Sequence, residues 1–197
     1  MIAIQDLSPM TPEEYLAFEE TSEVRHEYID GELYAMSGGT GNHNLISLNC
    51  AVLLRGNLKN SGCRTYMSDM KVNVADSQRF FYPDVMVTCD RRDDPSLTYV
   101  NFPKLIIEVL SPSTAHFDGT KKFESYRTIP TLQNYVLIHT DEYKMDCFRR
   151  QTEYVWTIQF YKGIEAIAHL ESLDINLPLA EIYEGVVFPK SEDVSEQ

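Results

Sequence analysis

The spacing of hydrophobic and polar positions changes period several times along the chain, and each change predicts an element boundary. Thr11-Pro12-Glu13-Glu14 opens a short helix with a capping box and Pro in its first turn, and Tyr15, Leu16 and Phe18 continue it. Residues 25–29 and 32–36 flank Asp30-Gly31, the signal of a two-residue hairpin turn. After the loop Ser37-Gly38-Gly39-Thr40-Gly41, apolar residues return at helical spacing over 42–59 (Leu45, Leu48, Val52, Leu53), and Ser61-Gly62 closes that helix. Short strands are expected at 64–67, 71–74 and 81–88, and a charged loop at 90–96. Over 104–110, Leu105, Ile106, Ile107, Val109 and Leu110 read as a strand buried on both faces, stopped by Pro112. A helix spans 118–127 before Pro130, 134–139 is another buried strand, and 143–169 alternates aromatic and polar residues as antiparallel strands do. This order predicts an α/β domain, a mixed central sheet flanked by helices with additional antiparallel strands.

The chain has 197 residues, 43 % hydrophobic and 24 % charged, enough for one domain with a sizeable core. That domain is expected over 11–188, between an N-terminal tail at 1–10 and an acidic tail at 189–197. No run approaches the ~18 apolar residues of a membrane span, and the N-terminus lacks the basic and apolar regions of a secretory signal. Four cysteines (Cys50, Cys63, Cys89, Cys147) stand far apart with no C-x-x-C pair. They argue against a zinc ribbon or a disulfide framework and suit a reducing cytoplasm. The net charge of −13 opposes nucleic-acid binding, but its distribution softens the objection. Residues 1–40 carry nine acids and one base, and 171–197 seven acids and one base, whereas 41–170 hold 15 bases and 14 acids.

Two acids interrupt apolar runs: Asp84 in Phe81-Tyr82-Pro83-Asp84-Val85, and Glu108 in Ile106-Ile107-Glu108-Val109. An ionised carboxylate removed from water costs several kcal/mol unless compensated. Each acid either pairs with a neighbouring base or lies at a strand end in water. Alternatively, adjacent strands aim both carboxylates at one point, where a hard cation such as Mg²⁺ (or Mn²⁺) relieves their repulsion. The following segment supplies a cation of its own, because Asp118, Lys122 and Tyr126 share one helical face. A Lys beside a metal-bound water can orient it and stabilise charge developing on phosphate.

These residues resemble the Uma family of endonucleases, placed in the restriction-endonuclease-like, PD-(D/E)XK superfamily. The resemblance is carried by Tyr82-Pro83-Asp84-Val85, by Glu108-Val109-Leu110-Ser111-Pro112-Ser113-Thr114 and by Asp118-x-x-x-Lys122-x-x-x-Tyr126, with the Tyr28-Ile29-Asp30-Gly31-Glu32 hairpin and the helix at His43. It implies a four-stranded mixed core sheet flanked by helices and metal-dependent cleavage of DNA phosphodiesters. Asp84 and Glu108 would hold the metal with the Val109 carbonyl. The superfamily's usual Lys position, two residues after the Glu, is Leu110 here, and Lys122 matches the family's displaced lysine. Glu27 resembles an extra acid that many members contribute. His43, at a helix start, is either a cap or packing residue or a participant in catalysis. The segment Thr128-Ile129-Pro130-Thr131-Leu132-Gln133-Asn134-Tyr135 departs from the family's commoner Gly-Val-x-Glu-Tyr-Trp pattern. Arg55, Lys59, Arg64 and Lys71 are the candidate phosphate contacts, so binding to DNA is expected to be weak. The other reading is a catalytically silent nuclease fold serving as a binding or regulatory module. Twelve Tyr and nine Phe would suit a homodimer interface as well as a core.

Helical geometry separates two neighbouring lysines. At about 100° per residue, Lys122 lies beside the apolar face of Phe123, Tyr126 and Ile129, and Lys121 points to water. Lys122→Ala is expected to abolish metal-dependent cleavage with the fold intact, and Lys121→Ala to be nearly silent. Equal losses of cleavage in the two variants would remove Lys122 from the site.

Overall fold

The chain changes sheets at Pro83. In the computed structural model, which describes residues 9–36, 38–75, 78–111 and 114–188, it runs from α1 (Pro12–Thr21) through β1 (His26–Ile29) and β2 (Glu32–Ala35) to α2 (Gly41–Asn57). Six strands follow: β3 (Arg64–Met67), β4 (Lys71–Val74), β5 (Arg79–Phe81), β6 (Val85–Thr88), β7 (Tyr99–Val100) and β8 (Pro103–Leu110). A helical stretch comes next as α3 (Ala115–Phe117), a π-helical turn (Asp118–Lys122) and α4 (Phe123–Tyr126). The chain continues through β9 (Asn134–His139), β10 (Lys144–Arg150), β11 (Trp156–Lys162), β12 (Ile167–Leu170), β13 (Ile175–Pro178) and α5 (Leu179–Ile182). Ser37 of the expected loop, Pro112 and Ser113 of the Ser-Pro-Ser-Thr run, and most of both expected tails (1–8 and 189–197) lie outside the described residues.

One sheet has the order β2-β1-β5-β4-β7, another β11-β10-β9-β8-β6-β3, and β12 pairs with β13. The single strand expected over 81–88 is therefore two strands in two sheets, joined by Tyr82, Pro83 and Asp84. Proline has no amide hydrogen to continue a ladder; both flanks are buried, so the apolar run conceals the break. The six-stranded sheet is mixed. β8 and β9 run parallel, joined by the crossover that contains α3 and α4, and its other pairs are antiparallel. The four-stranded core implied by the resemblance is thus extended to six strands.

Local signals hold where the expected chemistry is complete. The Thr11–Glu14 capping box forms, with Thr11 N–H donating to Glu14 at 2.8 Å and Glu14 N–H to Thr11 at 3.2 Å. Asp30 (φ 51°) and Gly31 (φ 100°) both take positive φ, as the tight β1–β2 hairpin requires. The face of α2 is a correction. Ile46, Cys50 and Leu54 are buried against the six-stranded sheet, whereas Leu45, Leu48 and Val52 of the expected stripe are exposed and Leu53 is half-buried. Two apolar stripes compete on this helix, and the sheet selects one. The later helix begins at Ala115 rather than 118.

The cysteines are a second correction. Cys63 and Cys89 form a disulfide, because the pairing Arg64↔Thr88 between β3 and β6 places the flanking residues side by side across a sequence separation of 26. Cys50 and Cys147 are free and buried.

The observed phase of α2 is testable by denaturant unfolding. Leu54→Ala is expected to cost about 2–5 kcal/mol and Leu48→Ala within about 0.5 kcal/mol; the reverse order would turn the helix over.

Candidate active site

Strand alternation decides which way the acids face. In β8, Leu105, Ile107 and Val109 join the core beneath α2, and Ile106 and Leu110 join the one beneath α4. Glu108 shares the second face. The pairing Val85↔Ile107 sets Asp84, just before β6, beside Glu108, and Met86 shows that the same face of β6 is used. The two carboxylates therefore share one face, Glu108 within β8 and Asp84 at the entry to the neighbouring β6. Asp84 Oδ2 accepts the Val109 N–H at 2.7 Å, and Oδ1 lies 3.3 Å from His43 Nε2. Asp84 is not within a strand, as expected from sequence, but at the seam between two sheets.

Lys122 is the centre of the cluster. Its Nζ is 2.9 Å from Glu27 Oε1, 3.0 Å from Glu108 Oε1 and 3.5 Å from Asp118 Oδ1, with all four side chains buried. The Tyr126 hydroxyl donates to the same Glu108 oxygen at 3.0 Å, and the Tyr82 N–H reaches Glu27 at 3.4 Å. Lys121 is exposed. The π-helical turn presents Asp118 and Lys122 together, and Tyr135 of β9 anchors it by donating to the Asp118 carbonyl at 2.9 Å.

Electrostatics follow from burial. Desolvation pushes the Glu108 carboxyl well above its ordinary range; the Lys122 ammonium opposes this, and Asp118, Asp84 and Glu27 reinforce it. Burial alone would lower Lys122, but the Glu108 and Glu27 carboxylates outweigh it and hold the ammonium well above its ordinary value. His43 is raised, first by its hydrogen bond to Asp84 and against its own burial. It stands at the start of α2, where Thr40 caps its N–H, and a Cβ on Gly39 would come within 2.8 Å of its ring. His43 thus caps nothing with its side chain and faces Asp84.

Glu27, Asp84, Glu108 and Asp118 line one cavity of about 630 Å³ together with Lys122 and His43. A second depression of about 460 Å³, beside Cys89 and Lys104, holds no comparable cluster. The acids outnumber the cations, and Glu27 Oε2 is buried without a partner among the described residues. Such an excess of oxygen acceptors suits a hard divalent cation, which needs one or two carboxylates and otherwise keeps water. Among the described residues no three His, Cys, Asp or Glu side chains form a ready-made ligand set, because Lys122 gathers Glu27, Glu108 and Asp118 onto itself.

The candidate phosphate contacts are not brought together. Lys71 is buried, its ammonium 3.4 Å from the Tyr82 hydroxyl, so it offers no surface charge; this corrects its assignment. Arg64 is spent on the carbonyls of Asp90 and Asp93. Arg55 and Lys59 are exposed but lie toward the far end of α2, about 18 Å or more beyond His43 at ~1.5 Å per residue. Sequence reasoning did not assign Asp118 or Tyr126 a place in the site, although their four-residue spacing with Lys122 was the signal. It also missed a buried network beside the cavity. There Glu19 accepts from the Tyr82 hydroxyl at 2.8 Å and from the His26 N–H at 2.9 Å. No local pattern in α1 marks Glu19 for burial.

A model of the Uma2 family, described as "Putative restriction endonuclease", matches residues 12–180. "Uncharacterized protein slr1290" of Synechocystis is 37 % identical over 191 residues, covering 95 % of this chain and all of that protein. "Uncharacterized protein sll1609" of the same organism is 36 % identical over 168 residues, 84 % of this chain and 95 % of that one. A crystal structure of "a putative nuclease belonging to DUF820" from Anabaena variabilis shares the fold at a TM-score of 0.74 and 20 % identity, over 91 % of this chain and all of that chain.

Burial of the cluster changes the expected outcome of removing Lys122. Deleting one partner of a buried ion pair costs about 3–5 kcal/mol, so Lys122→Ala is expected to lower the unfolding free energy by about that much rather than leave the fold untouched. Adding Glu27→Gln should recover part of the loss by removing an uncompensated carboxylate. The pH dependence has a definite sign. Lys122 binds its proton more tightly folded than unfolded, so its stabilisation is complete below the ordinary lysine value of ~10.4 and disappears as pH rises through the folded one. The raised Tyr126 and Tyr135 phenols act in the same direction. The urea midpoint should therefore fall steeply above about pH 10, and less steeply in Lys122→Ala.

Proposed function

The chain belongs to the Uma2 family, and from that premise we propose that it is a metal-dependent endonuclease hydrolysing DNA phosphodiester bonds. The observation that carries this reading is the convergence of Asp84 and Glu108 on one cavity beside a buried, permanently charged lysine. Asp84, Glu108 and the Val109 carbonyl are the proposed holders of Mg²⁺ or Mn²⁺. Such an ion supplies a more acidic water and offsets phosphate charge. The remaining work falls to the chain. Lys122 keeps its proton and presents a fixed positive charge, orienting the attacking water and stabilising charge that develops on the phosphate oxygens. Glu27 and Asp118 hold that ammonium toward Glu108, and Tyr126 fixes the Glu108 carboxylate. His43 orients Asp84 through their 3.3 Å contact, which raises the affinity of the imidazole for its proton. The proposed compartment is the cytoplasm, where DNA resides, although the Cys63–Cys89 disulfide withdraws the support that the cysteines gave it. Among the described residues no helix is long and apolar enough to cross a membrane.

A second reading, a silent nuclease fold used for binding or regulation, is favoured by one observation. Lys122 already occupies three of the four carboxylates. Incubation with supercoiled plasmid and with single-stranded DNA separates the two. Cleavage is expected with Mg²⁺ or Mn²⁺, and loss of at least a hundredfold in Asp84→Ala, a partly exposed position where truncation spares the core. A folded native protein inert on both substrates with both metals would leave only the second reading.

The poverty of bases near the cavity predicts weak, shallowly salt-dependent affinity. The slope of log K against log salt should be roughly −2 to −4, at ~0.9 per neutralised phosphate, in a titration of fluorescent duplex DNA. A slope near the −10 of strongly basic binders would reveal a basic surface formed elsewhere.

A further inference from the structure

The outer edge of the six-stranded sheet is open. β11 has β10 on one side and no strand on the other among the described residues. Its pairing with β10 runs all seven residues without a shift. The hydrogen bonds Gly163 N–H to Tyr143 carbonyl (2.9 Å) and Gln151 N–H to Val155 carbonyl (2.8 Å) bracket the same ladder. Hydrogen-bonded pairs recur at every second residue in an antiparallel ladder, so Thr157, Gln159 and Tyr161 are bonded to β10. Trp156, Ile158, Phe160 and Lys162 accordingly turn their N–H and C=O groups outward.

Proteins blunt such edges with prolines, bulges or inward charges. β11 has none of these in its middle, and its one charge, Lys162, is the last residue. Of thirteen large hydrophobics exposed among the described residues, six fall between Tyr154 and Ile167: Ile158 and Phe160 (67 % exposed) on β11 itself, and the other four in its flanking turns and in β12. That combination marks a surface built to pair.

We propose that β11 pairs antiparallel with β11 of a second copy, joining two six-stranded sheets across a two-fold axis at Gln159. The strand's own sequence selects a second copy over other occupants. Pairing about Gln159 is the only register that overlaps all seven residues, and it matches outward-facing residues with outward-facing ones. Ile158 then meets Phe160 of the other copy twice, forming a four-residue apolar cluster on one face. Lys162 falls opposite Trp156, but its ammonium is already held by Glu142 at 2.8 Å and the indole by Arg150 at 4.5 Å, so the apolar pairs carry the contact. Beyond the strand ends the same register opposes Tyr154 to Ile164, both exposed. These add apolar area toward the roughly 1,200–2,000 Å² that stable interfaces bury. The contact is isologous, as closed dimers require.

Sedimentation equilibrium of the full native chain tests this. The expected mass is twice the 22.7 kDa of one chain. Phe160→Lys and Ile158→Asp should each weaken dimerisation at least tenfold while leaving circular dichroism and melting temperature unchanged, since both positions are exposed. The double variant should restore the dimer, because in this register position 158 of one copy faces position 160 of the other and the introduced charges are opposite. Three results would overturn the proposal: a native chain that stays monomeric, a dimer indifferent to both single substitutions, or a double variant no better than the singles. A monomeric chain that dimerises only after truncation following Phe188 would likewise overturn it, by assigning the edge to the chain's own last residues.

Discussion

A lysine ammonium buried among three carboxylates is the interaction on which the site and the junction of the two sheets both depend. Glu27 comes from β1 in one sheet, Glu108 from β8 in the other, and Lys122 and Asp118 from the crossover between β8 and β9. Without the ammonium these acids would repel one another in a medium that cannot screen them. With it, they close the seam that Pro83 opens by sending the chain from one sheet to the next. A buried ion cluster is poor evidence for stability, since apolar residues of the same volume would often do as well. Here it lies in the wall of the acid-lined cavity, where the proposed chemistry would use it.

The scaffold around the cluster is arranged to hold it in one geometry. The π-helical turn inserts its extra residue where Asp118 and Lys122 must both face inward, and Tyr135 pins that turn to β9. Behind Glu27, the Tyr82 backbone supplies an N–H, and the Tyr82 hydroxyl is held by Glu19, which also takes two contacts from His26. Lys71 closes this second network from β4. Three buried charged groups, Glu27 at its N–H and Glu19 and Lys71 at its hydroxyl, thus fix the residue that precedes Pro83 and Asp84. The disulfide between Cys63 and Cys89 ties β3 to β6 at the far end of the same strand.

Charge distribution accounts for the mismatch between an acidic chain and a nucleic-acid fold. The cavity is acid-lined, and the exposed bases Arg55 and Lys59 are remote from it. On the proposed reading, such a pocket repels phosphate until a cation offsets its charge.

What the sequence determined by itself is what short-range physics specifies. The capping box at Thr11, the Asp30-Gly31 turn, β3, β4 and β9, and the alternation that places Glu108 on a definite face all depend on neighbours within a few residues. The anomaly of a carboxylate inside an apolar strand was equally legible, because burial of charge is costly wherever the strand lies. Tertiary structure alone decided the rest. Which stripe of α2 is buried, Ile46-Cys50-Leu54 or Leu45-Leu48-Val52, depends on a sheet whose central strands come much later in the chain. The split of 81–88 into two strands was hidden because both parts are buried, although in different sheets. The partners of Lys122 come from positions 27, 108 and 118, and the pairing of Cys63 with Cys89 follows only from the β3–β6 register. Hydrophobic periodicity reports that a position is buried; only the packed chain decides what it is buried against.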